Sequence, residues 1–115
     1  MIKEEELSKQ MEEALDQKYI VFGGVVTAWE ELETAKNKVR GIEAIIKLEL
    51  KVADPKMTVD MMNCKVNTDK RMDVAIASEI TAEANYKLAQ GEYENLADRF
   101  KKLNTDAYLM GKVNI

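Results

Sequence analysis

The sequence predicts an all-α fold, a long antiparallel helical hairpin of coiled-coil type with a short helix at its tip, expected to associate with further copies. Three observations predict it. An apolar residue returns at alternating steps of three and four from Met72 to Met110. A second such row runs through residues 28–46, and the one proline, Pro55, comes nine residues after it. Residues spaced by three and four share one helix face, so two such rows in one chain can press together lengthwise.

The first arm is expected over residues 5–52. Leu7, Met11, Leu15, Phe22, Val25, Trp29 and Leu32 recur at helical spacing, and Ala28, Leu32, Ala35, Val39, Ile42 and Ile46 carry the alternation onward. Gly23 with Gly24, and Gly41, interrupt it. Each glycine costs about 1 kcal/mol relative to alanine inside a helix. Because the apolar period continues on both sides, the pair is read as a kink or a close contact with a neighbouring backbone; a short break near Gly23 is the alternative.

The tip is expected over residues 53–68. Asp54 and Pro55 end the arm, since proline lacks an N–H donor and biases the residue before it away from helical geometry. Thr58 is a cap for a short helix from Val59 to about Val66, with Asp60 placed where the helix dipole favours an anion. Asn67, Thr68 and Asp69 supply the next capping signal, so the second arm is expected over residues 69–112.

In that arm the seam is Met72, Ala75, Glu79, Ala82, Tyr86, Ala89, Tyr93, Leu96, Phe100, Leu103, Ala107 and Met110, of which only Glu79 is polar. Glu79 reads as a residue that fixes register or pairs with a partner. Gly91, between Ala89 and Tyr93, suggests close helix approach. Ile76, Ile80, Ala84 and Leu88 form a further row beside the seam that one partner helix cannot cover, which points to other copies or another protein. Trp29, Ile76, Ile80, Tyr86, Leu88 and Tyr93 are the candidate interface residues.

Composition limits the chemistry. The 115 residues include no histidine and one cysteine, and no Gly-rich phosphate loop or nucleophile elbow occurs. An enzyme is therefore not expected, and no catalytic, metal or cofactor site is nominated. No apolar run approaches the roughly 18 residues of a membrane span, and Lys3, Glu4, Glu5 and Glu6 do not resemble a signal sequence. A cytoplasmic protein with no membrane partner is expected.

Charge is segregated. Residues 1–33 hold nine acids and three lysines, whereas residues 34–71 hold nine basic residues and five acids. In a hairpin Lys36, Lys38, Arg40, Lys47, Lys51, Lys56, Lys65, Lys70 and Arg71 gather towards the tip, a candidate footprint for the phosphates of single-stranded DNA. Some of them are expected to pair with Glu43 or Glu49 at helical spacing.

The stretch from Leu32 to Gly111 resembles small helical phage proteins: an Ala- and Glu-rich helix, Lys56-Met57-Thr58, Val66-Asn67-Thr68-Asp69, a helix with Ala84-Asn85-Tyr86-Lys87, and Leu103-Asn104-Thr105-Asp106-Ala107-Tyr108-Leu109. Such proteins are often encoded among phage replication and recombination genes, and some look like mediators that load a recombinase onto single-stranded DNA. The resemblance implies a non-enzymatic, assembling accessory protein of the host-cell cytoplasm, with Lys56, Lys65, Lys70 and Arg71 contacting DNA. Gly23-Gly24 and the acidic first third do not belong to that layout. The competing reading is a structural or adaptor coiled coil, a scaffold, chaperone or inhibitor, that recognises a protein through its apolar stripe.

Overall fold

The computed structural model describes residues 3–113 and is all-α, with helices α1 (Glu4–Ala53), α2 (Val59–Thr68) and α3 (Lys70–Val113) and no strand among the described residues. The fold is a helical hairpin with a short helix at its bend. No helix among the described residues is long and apolar enough to cross a membrane.

The helix ends follow local chemistry. The Asp54 amide donates to the Leu50 carbonyl at 2.9 Å, the last backbone bond before Pro55, and the Lys56 amide donates to Asp54 Oδ1 at 3.1 Å. Thr58 is extended at φ −72°, ψ 157°, and its hydroxyl accepts from the Met61 amide at 3.3 Å, satisfying a donor that has no partner inside α2. Asp69 closes α2 through its own amide and opens α3 by accepting the Arg71 amide at 2.8 Å.

α1 runs unbroken through Gly23, Gly24 and Gly41, and α3 through Gly91. A Cβ added at any of these glycines would meet nothing within 4 Å. The close-approach readings of Gly23-Gly24 and Gly91 are therefore corrected, as is the short break near Gly23. The helical hydrogen bonding continues through these positions, and the glycines lie where no neighbour crowds them.

The contacts divide into two compact units. One joins the part of α1 up to Thr27 to the part of α3 from Lys87 onward. Its core is Leu7, Ala14 and Leu103, with Met11, Phe100, Ala107 and Met110 packed around them. The other is Ala28–Tyr86, whose core of Ile46, Val66 and Met72 takes one residue from each helix, with Val39, Ile42 and Leu50 around it.

Every seam position of α3 from Met72 to Met110 is buried or half-buried, as are the row positions Ala28, Leu32, Ala35, Val39, Ile42 and Ile46 of α1. The amino-terminal row is corrected. Its covered positions are Leu7, Met11, Ala14, Lys18, Val21 and Val25, while Leu15, Phe22 and Trp29 are 39 %, 51 % and 50 % exposed. Two neighbouring rows of α1 both have three-four spacing, and the one with small side chains at Ala14, Val21 and Ala28 turns inward.

Candidate functional site

The nine nominated cations all lie in the unit Ala28–Tyr86, but they are not equivalent. Arg71, the second residue of α3, is bound on two sides. Its Nη1 and Nη2 donate to Glu49 Oε1 and Oε2 at 3.0 and 2.7 Å, a two-bond fork, while Nε and Nη2 reach Asp69 Oδ1 and Oδ2 at 3.2 and 3.1 Å. The planar guanidinium suits this geometry, which a lysine could not reproduce. Its hydrogen bonds hold the Glu49 carboxyl below its ordinary value of 4.5 and the Asp69 carboxyl below 3.8, and those with Glu49 and then Asp69 raise the Arg71 pKa further. Arg71 fastens the start of α3 to the end of α1. Releasing it to a phosphate would leave two carboxylates behind.

Lys47 pairs with Glu43 at 2.9 Å, at the expected helical spacing, and Lys36 with Glu33 at 3.7 Å. Glu49 pairs instead with Arg71, 22 residues away. Lys38, Arg40, Lys51, Lys56, Lys65 and Lys70 are exposed and form no ion pair among the described residues. Four of these flank the bend by element: Lys51 in the last turn of α1, Lys56 in the connection, Lys65 in the last turn of α2 and Lys70 at the first position of α3. Asp54, Asp60, Asp69 and Asp73 share those segments, so the positive excess there is small.

The nominated interface residues split. Trp29, Ile76, Ile80 and Leu88 are 50 %, 40 %, 61 % and 69 % exposed, so the row beside the α3 seam is uncovered. Tyr86 and Tyr93 are half-buried seam residues, and Tyr93 packs at 5.7 Å and a 54° tilt against Phe22. Glu79 is half-buried and forms no ion pair among the described residues.

Sequence reasoning passed over two further exposed sets. Tyr19 and Ile20 are each 71 % exposed on α1, and Ile45, Leu48 and Val52 form a three-four row exposed by 53 %, 66 % and 76 %. That second row was visible in the spacing but was absorbed into the general periodicity of the arm. No group of three or more His, Cys, Asp or Glu side chains among the described residues could hold a metal, and Cys64 is an exposed thiol on α2. The arrangement is suited to contact between macromolecular surfaces, with apolar rows and scattered lysines. The chain matches no protein-family model, and no curated protein or solved structure is significantly similar to it.

Proposed function

We propose that this protein is a non-enzymatic accessory protein that acts by assembling with other proteins, either further copies of itself or a recombinase of the kind the phage resemblance implies. The observation that carries this reading is the exposure of Tyr19, Phe22 and Trp29 on α1, each at least half in water. Aromatic side chains are the usual anchors of protein interfaces, where they bury large areas at low entropic cost. The test is capture of a purified candidate recombinase by the nuclease-treated protein. Binding lost in a Tyr19→Ser, Trp29→Ser variant and kept in a Lys65→Ala, Lys70→Ala variant supports it; the reverse pattern overturns it.

A second reading, single-stranded DNA binding at the bend, is favoured by one observation, the four exposed lysines there without ion-pair partners among the described residues. Counterion release makes such binding fall steeply with salt. A salt series on an oligonucleotide that shows no binding at low salt, or binding unaffected by Lys56→Ala, Lys65→Ala and Lys70→Ala together, removes this reading.

A further inference from the structure

We infer that the bend takes the phosphodiester backbone of nucleic acid without reading its bases, so that duplex is held more tightly than a single strand. The inference rests on the nucleic-acid reading above and names what that site can and cannot distinguish.

Lys51, Lys56, Lys65 and Lys70 belong to one compact unit and follow the turn of the chain, from the end of α1 through the connection and the end of α2 to the start of α3. All four are exposed and form no ion pair among the described residues. The acids of the same segments are placed differently. Glu49 and Asp69 accept from the Arg71 guanidinium, and Asp54 accepts from the Lys56 amide. Three carboxylates are thus turned to the chain's own donors, whereas none of the four ammonium groups is turned to an acid. An ammonium is a point charge with rotatable donors, suited to a phosphate oxygen, and phosphate contacts carry no base information.

The two devices that read bases are missing at this place. Bases stack on aromatic rings, and residues 30–85 contain no Phe, Tyr, Trp or His. The nearest rings along the helices, Trp29 and Tyr86, stand roughly 33 Å from Lys51 on α1 and roughly 24 Å from Lys70 on α3, at 1.5 Å per residue. The other device is a guanidinium, which reads guanine through paired N–H donors. At Arg71 that fork is closed on Glu49, and the Nε–H is taken by Asp69. Arg40, the other arginine of this unit, lies roughly 16 Å before Lys51 along α1. What remains is attraction to charge, and a duplex carries twice the charge of one strand per unit length.

The test is fluorescence anisotropy of the intact chain with a labelled oligonucleotide across a salt series. The oligonucleotide is offered as a mixed-sequence single strand, as the same backbone with abasic sites throughout, and as duplex. The abasic strand should bind with an affinity comparable to that of the parent strand, and the duplex at least several-fold more tightly. With four lysines engaged, log affinity against log salt should fall with a slope no steeper than about −3 for the single strand and about −3.6 for the duplex. Lys51→Ala, Lys56→Ala, Lys65→Ala and Lys70→Ala together should abolish binding with unchanged helical circular dichroism, while Lys101→Ala with Lys102→Ala, in the other unit, should leave it intact. Loss of binding on removing the bases, or a preference for the single strand, overturns the inference and leaves a base-reading nucleic-acid site standing. Binding that survives the fourfold substitution moves the contact away from the bend and overturns it as well. Failure of every oligonucleotide to bind at low salt removes the nucleic-acid reading together with the inference. Inorganic polyphosphate held more tightly than duplex assigns the lysines to a free polyanion and overturns the nucleic-acid assignment.

Discussion

Lys18 Nζ lies 5.5 Å from the centre of the Phe100 ring and 5.9 Å from that of Tyr93, so a cation occupies a half-buried position beside two aromatic seam residues. The aliphatic stem covers the aromatic surface while the ammonium meets the negative ring faces. A double-mutant cycle of Lys18→Met and Phe100→Leu should return a coupling of about 0.5–1 kcal/mol. Additive effects in denaturant titrations would show that the lysine only packs.

The helical glycines are open to improvement. None has a positive φ, and none has a neighbour within 4 Å of a would-be Cβ. Gly23→Ala, Gly41→Ala and Gly91→Ala should each stabilise the fold by about 0.5–1 kcal/mol, through the greater freedom glycine gives the unfolded chain. A fall in denaturation midpoint at Gly91 would mean that the helix departs from regular geometry there.

Burial separates leucines of the same helix. Leu103 is 6 % exposed within the core of its unit and Leu88 is 69 % exposed. Leu103→Ala should cost about 2–4 kcal/mol, whereas Leu88→Ala measured at dilute concentration should stay within about 0.5 kcal/mol of the parent. Equal losses at the two sites would contradict the observed face of α3.

The Arg71 cluster predicts a pH response with a definite sign. Glu49 and Asp69 both have folded-state pKa values below their ordinary ones of 4.5 and 3.8. Their contribution is complete above that range and disappears as pH falls through the lowered values, when both carboxylates accept protons. Because the cluster is solvent-exposed, salt should weaken it. In thermal melts from pH 7 to pH 2, Glu49→Gln should lose less stability on acidification than the parent. An identical acid limb would remove the cluster from the stability of the bend.

Much of the architecture could be read from spacing alone. Thr58, Asp54-Pro55 and Asp69 mark their helix ends through local bonds that need no tertiary information. The inward row of the first arm could not be read in the same way, because Ala14 and Val21 compete with Leu15 and Phe22 at equal spacing and the larger residues attract the eye. Spacing placed the charged Glu79 in the α3 seam, because apolar residues bracket it, but it gave no such sign for Lys18, which is covered only because Tyr93 and Phe100 of α3 come alongside. For the candidate site, the surplus of cations in residues 34–71 was legible. The capture of Arg71 by Glu49 depends on residues 22 apart in sequence being brought together at the bend.

Ala14 has no exposed surface at all and belongs to the core cluster that Leu7 and Leu103 form with it between α1 and α3. There the methyl group works as a spacer, and the two backbones lie at whatever separation it permits. Drift toward bulk at this position wedges the rods apart and disturbs neighbours over several turns, while drift toward polarity one residue along, at Leu15, leaves the pair closed. A saturation scan of the first arm should thus show size intolerance recurring beside broad tolerance, a rhythm that dates back to which methyl faces inward.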